Sequence, residues 1–125
     1  MIPRYLDYIY IFGTIFFTVY GQVVIKWRIG YLGALPEENL EKLKFLLSLL
    51  LDPWIFSGFV AAFAASLAWM AAMTKFDLSH AYPFMSLNFA IVLILSGWLL
   101  NETLSLQRVT GVALIILGTV IAARG

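Results

Sequence analysis

Six side chains place a polar or charged group where the surrounding sequence is apolar. Gln22, Lys26 and Arg28 lie toward the end of one hydrophobic run, and Tyr82, Ser86 and Asn88 at the start of another. A polar group held in hydrocarbon must find a partner or line a wet cavity. The amides of Gln22 and Asn88 and the hydroxyls of Tyr82 and Ser86 suit hydrogen bonding to a polar head group. Lys26 and Arg28 suit either anchoring a helix at a membrane boundary or neutralising a phosphate there. Thr14, Thr18, Gln22 and Lys26 recur every four residues, a stripe that drifts slowly around a helix. The two threonines can satisfy their hydroxyls on their own backbone, whereas Gln22 cannot be dismissed so cheaply. Tyr82, Met85, Ser86 and Phe89 share a helical face. Asn88 points elsewhere, toward another helix or a substrate.

Other chemistry is not expected. Cysteine is absent, which removes disulfides, thiol catalysis and thiolate metal sites, and a single histidine builds no metal cluster. No nucleophile-and-base pairing, phosphate-cradling glycine loop or metal-ligand spacing occurs. The expectation is therefore of no catalytic residue, metal or cofactor, and of a protein that is not an enzyme. His80 reads as a helix cap or surface group, and Glu102, in Asn-Glu-Thr-Leu-Ser, as part of a turn or a cap. Eight Lys and Arg against seven Asp and Glu give a net charge of +1, so charge argues for no nucleic-acid partner.

The elements that must position these residues follow from the spacing of charge. The 125 residues are 62% hydrophobic and 12% charged, against roughly 45–50% and 25% in an average soluble domain. Uncharged stretches run between Asp7 and Lys26, Asp52 and Lys75, His80 and Glu102, and Arg108 and Arg124. A helix crosses a hydrocarbon core of ~30 Å with about 20 apolar residues, so the chain reads as a single all-α membrane domain with four transmembrane helices, at 7–28, 53–74, 80–101 and 105–123. The last becomes long enough if its flanking arginines extend to the interfaces. The first run ends in Lys26, Trp27 and Arg28 rather than at a small-residue cleavage site, so it reads as a span and not a signal peptide.

Between the first two spans, Gly30, Gly33 and Pro36 punctuate a turn. Glu37, Glu38, Glu41, Lys42 and Lys44 then alternate with Leu40, Leu43, Phe45, Leu46 and Leu47. The stretch 31–52 thus contains a short amphipathic helix suited to a membrane surface, as a tether or as a gate or partner contact. Ser79 or His80 followed by Pro83 suits the start of the third helix. An even number of spans puts both termini on one side with Arg4, Lys75 and Arg124. Lys26, Arg28, Lys42, Lys44 and Arg108 lie on the other, so the positive-inside bias is weak and insertion in both orientations is open.

Helices in lipid associate through close packing of small residues. Gly58, Ala61, Ala62, Ala65 and Ala72 form a strip on the second span that suits packing within the chain. Gly111, Gly118 and Ala122 align on the fourth, suiting either internal packing or a dimer seam.

The string Ala81-Tyr82-Pro83-Phe84-Met85-Ser86-Leu87-Asn88-Phe89, with Asn101-Glu102-Thr103-Leu104-Ser105, Gly111 to Gly118, and Gly21-Gln22 followed by Lys26, resembles the small four-helix branch of the drug/metabolite transporter superfamily (small multidrug resistance-like, EamA-like). The small multidrug transporters carry a membrane-embedded Glu where this sequence has Thr18, and that Glu exchanges protons for a cationic drug. The Tyr-Pro-x-x-Ser-Leu-Asn string and the Gly-Gln pair are more similar to subunits that flip aminoarabinose carried on undecaprenyl phosphate. The resemblance implies an amphiphilic, lipid-linked phosphate or sugar as substrate. It also implies a homodimer or a heterodimer with a paralogue, in the bacterial inner membrane. Gln22, Tyr82, Ser86 and Asn88 are then expected to bind the head group, with Lys26 or Arg28 on its phosphate. An accessory membrane subunit that moves nothing is the alternative, and a small multidrug efflux transporter the third reading.

Overall fold

The computed structural model describes residues 5–125, and Arg4, counted above among the charges near the termini, lies outside them. Every regular element among the described residues is helical. A short 3-10 turn, Tyr5–Asp7, leads into α1 (Tyr8–Leu32). Then come α2 (Asn39–Leu49), α3 (Pro53–Met73), the short α4 (Leu78–Ala81), a 3-10 segment (Tyr82–Ser86), α5 (Leu87–Trp98) and α6 (Leu106–Arg124). α1, α3, the continuous stretch Leu78–Trp98 and α6 are each long and apolar enough to cross a membrane.

Helix ends follow local chemistry, and several differ from the expected ones. α1 runs through Gly30 to Leu32, because a lone glycine inside a helix is tolerated. It stops at Gly33, whose φ of +108° suits glycine and whose N–H bonds to the Ile29 carbonyl at 3.3 Å. α3 starts at Pro53 behind Asp52, whose Oδ1 accepts from the N–H groups of Trp54 and Ile55. The third span does not start on a Ser79 or His80 cap: Asp77 is the N-cap residue, and its carbonyl accepts from the N–H groups of His80 and Ala81. Pro83, with no N–H to give, coincides with a tightening into the 3-10 segment. That span ends at Trp98, earlier than expected. Asn101 then takes φ +54°, and the Glu102 N–H returns to the Ser96 carbonyl at 3.0 Å. Glu102 is thus a turn residue only, and Ser105 caps α6 by accepting from the Arg108 N–H.

The most extensive contact joins α1 to α3, with α5 added against α1. Gly58, Ala61, Ala65 and Ala72 are buried, as their strip predicts, but Ala62 is exposed. Ile11, Ile15, Val19, Ala72, Phe76 and Ala81 form one buried cluster, on which Tyr8, Trp69 and Phe84 pack. His80 is neither cap nor free surface group. Its Nε2 lies 3.0 Å from the Tyr8 hydroxyl, and its ring stacks on Phe76, tying the start of α1 to the start of the third span. α6 contacts the 3-10 segment and α5 and is otherwise largely uncovered. In α2 only Leu49 is buried, leaving Leu40, Leu43, Leu46 and Leu47 at least half exposed.

Candidate functional site

A groove of about 900 Å³ opens between α1, α3 and the start of the third span. α1 contributes Thr14, Thr18 and Gln22, three members of the four-residue stripe. α3 contributes Ser66 and Trp69, and the third span Tyr82, Ser86 and Asn88. At its α1–α3 wall Gly21 and Gly58 allow the two backbones to meet, since a Cβ on Gly21 would stand 3.0 Å from the Gly58 carbonyl oxygen. No charged side chain lines the groove among the described residues.

The polar groups differ in how far they are already committed. Thr14 Oγ1 donates to the Tyr10 carbonyl at 2.8 Å, and Ser66 to the Ala62 carbonyl at 3.1 Å. Ser86 donates to the Pro83 carbonyl at 2.5 Å and also meets the Thr119 hydroxyl of α6. Thr119 is buried, within reach of the Pro83 and Ile115 carbonyls as well, so this pair docks α6 on the 3-10 segment. Ser86 therefore has a structural engagement that its sequence position did not disclose. Gln22 is exposed in the groove, Tyr82 is exposed with its ring edge-on to Trp69 at 5.9 Å, and Asn88 carries a buried Oδ1 with no hydrogen-bond partner. An acceptor left unpaired in a low-dielectric site is costly unless a ligand supplies the donor.

The two cations separate. Lys26 is exposed one helical turn beyond Gln22 and does not line the groove. Arg28 is turned onto Asp52, with Nε to Oδ2 at 2.8 Å, and its guanidinium lies 6.0 Å from the Trp27 ring centroid. At Asp52, burial raises the carboxyl's pKa. The hydrogen bond from Arg28, the N–H groups of Ile55 and Trp54 and the positive charge of Arg28 outweigh it, leaving the group below its ordinary 3.8. The structure thus gathers Gln22, Tyr82, Ser86 and Asn88 and leaves Lys26 and Arg28 outside.

Sequence reasoning did not single out Ser66, Trp69 or Thr119. Ser66 and Thr119 are isolated hydroxyl residues in apolar helices, the one signal that marks them. On the other flank of α1 lies an apolar cavity of about 680 Å³, lined by residues including Phe16, Val23, Trp27, Trp54 and Leu95. A Cβ added at Gly111 or Gly118 meets nothing within 4 Å; Gly118 and Ala122 are exposed, whereas Gly111 is half-buried and borders a crevice between α5 and α6. Among the described residues no cluster of His, Asp or Glu is placed to hold a metal ion.

Residues 8–124 match the EamA-like transporter family. The probable 4-amino-4-deoxy-L-arabinose-phosphoundecaprenol flippase subunit ArnE of Aeromonas salmonicida is 33% identical over 100 residues, 80% of this chain and 77% of that protein. The probable subunit ArnF of the same kind of flippase in Erwinia tasmaniensis is 30% identical over 115 residues, 85% of each chain. Its ArnE counterpart in Erwinia tasmaniensis is 37% identical over 68 residues, 54% of this chain and 63% of that protein's length. No solved structure gives a significant match.

Proposed function

We propose, from the premise that this chain belongs to the EamA-like transporter family, that it is one subunit of a flippase moving a lipid-linked sugar phosphate across the inner membrane. It is a multi-pass membrane protein, and its relatives named as flippase subunits are transporters. The observation that carries the reading is the groove, whose lining includes Gln22, Tyr82 and Asn88, the last with a buried Oδ1 that has no partner. Such a site offers hydrogen bonds to a sugar or amino sugar while leaving a hydrocarbon tail outside in lipid.

Within this reading Gln22, Tyr82 and Asn88 bind the head group. Ser86 stands beside them with its hydroxyl shared with Thr119. Lys26 meets the phosphate at the mouth, because Arg28 is already neutralised by Asp52. Both ArnE and ArnF subunits are similar to this chain, which supports assembly with a paralogue. The exposed Gly118 and Ala122, aligned with the half-buried Gly111 on one face of α6, offer a seam for it.

The test is trans-bilayer movement of a sugar-bearing undecaprenyl phosphate in vesicles holding the assembled protein. Gln22→Ala and Lys26→Ala are expected to abolish movement with assembly intact. Normal movement by both variants overturns the site, and no movement by the unaltered assembly returns the chain to an accessory role.

A further inference from the structure

Asn88 belongs to two cavities at once. With Phe89 it borders the groove, and the same two residues form the inner end of a crevice of about 510 Å³ between α5 and α6. The walls of this crevice are apolar, supplied by Val92, Leu93 and Val112, and its demanding groups stand at the two ends. Inside is the buried, unpartnered Asn88 Oδ1. Outside, where α6 begins, are Gln107 and Arg108. The Arg108 guanidinium makes one long hydrogen bond, to the Thr103 carbonyl at 3.5 Å, and no carboxylate pairs with it among the described residues. Ser96, near the outer end, is already turned onto the Leu93 carbonyl.

An unpaired carbonyl oxygen requires an O–H or N–H donor. Arg108 is exposed at the membrane boundary with no carboxylate beside it, so it is free to take an anion, and its planar fork matches a phosphate. Ser96 at the outer end stands eight helical positions after Asn88, about 12 Å of rise, a length of the order of a sugar phosphate with its hydrogen bonds. The crevice lies against the largely uncovered α6, so a molecule with a hydrocarbon tail reaches it from the bilayer without drawing the tail through the protein.

We propose that the α5–α6 crevice is a lateral port for a phosphate-bearing lipid, with Arg108 on the phosphate and Asn88 on a hydroxyl or ammonium of the head group, which it hands on to the groove. The port rests on the flippase reading. It differs from the groove in its outer residue, Arg108, and in its opening toward lipid.

Because the chain contains no cysteine, single Val112→Cys (crevice) and Ser66→Cys (groove) variants report on the two cavities separately. Each is assembled in phospholipid vesicles and its labelling by a methanethiosulfonate reagent timed with sugar-bearing undecaprenyl phosphate, undecaprenol or inorganic phosphate. The lipid phosphate is expected to slow labelling of Val112→Cys about ten-fold, undecaprenol to leave it unchanged, and added Arg108→Gln to abolish the protection. Protection that survives Arg108→Gln overturns the port, as does equal protection by inorganic phosphate, which assigns the crevice to a free anion. A Val112→Cys variant unreactive without ligand also overturns it, because a port for a charged head group must admit water and the reagent. Protection of Ser66→Cys without protection of Val112→Cys overturns the port and leaves the groove standing; protection of neither removes the flippase reading beneath it.

Discussion

Gly21 and Gly58 set α1 and α3 backbone against backbone: a Cβ on Gly21 would stand 3.0 Å from the Gly58 carbonyl oxygen, and one on Gly58 2.9 Å from Ile25 Cγ1. Carbonyl oxygens within helices have little room to give, whereas the Ile25 side chain can turn aside. Gly21→Ala is therefore expected to destabilise the helix pair more than Gly58→Ala, by about 1–3 kcal/mol as for other overpacked contacts. Gly118→Ala, where nothing lies within 4 Å, leaves the isolated chain unchanged. Thermal unfolding of the three variants in detergent checks the order.

The hydroxyls of Ser86 and Thr119 hold α6 to the 3-10 segment. Replacing Thr119 with valine keeps the shape and removes the bond, at an expected cost of about 0.6 kcal/mol and at most about 1.7. Ser86→Ala and Thr119→Val share one interaction, so the double variant should lose less than the sum of the two. A double-mutant cycle on unfolding free energy measures this, and strict additivity contradicts the pairing.

Arg28 and Lys26 are expected to fail differently. Arg28→Ala breaks the tie to Asp52 and lowers stability, whereas Lys26→Ala leaves unfolding unchanged and abolishes lipid movement. Reversed phenotypes would exchange the two roles.

The same tie has a pH signature. Folding holds the Asp52 carboxyl below its ordinary 3.8, so its contribution is fully present above that value and is lost as pH falls through the lower, folded-state value. The stability difference between the unaltered chain and Asp52→Asn should be constant near neutrality and shrink only below about pH 4. A difference already vanishing between pH 5 and 7 would contradict the assignment.

Tyr8 and His80 join the first and third spans on the side of the termini. Tyr8→Phe keeps the ring packed on Phe76, with centroids 4.7 Å apart, and removes only the hydroxyl. The expected loss is about 1 kcal/mol, read by the same unfolding measurement.

Much of the architecture was legible along the chain. Uncharged stretches located the four long helices, Asp52 and Ser105 sit where caps belong, and the small residues of α3 marked its buried face apart from Ala62. The third helix was misread at both ends. Its N-cap is the backbone-accepting Asp77, with no side-chain cap bond to announce it, and its end depends on Asn101 adopting a left-handed conformation that the chain also requires to fold back onto Ser96. In the groove, Gln22 and Asn88 were visible as amides set in apolar runs. Ser66 and Trp69 were not, because a serine that bonds its own helix and a tryptophan in a span have ordinary uses.

The sequence by itself determined that this protein spans a membrane as four helices and that a few polar side chains must be accommodated within them. Span length and polarity are properties summed along the chain, and lipid admits few ways to satisfy a backbone. Only the tertiary structure decided which polar groups meet, Arg28 with Asp52, Ser86 with Thr119 and Tyr8 with His80, and that Gln22 and Asn88 line one groove. Those pairings depend on which helix faces approach. Between apolar helices in lipid the choice rests on short-range packing, such as Gly21 on Gly58, rather than on how hydrophobic each helix is.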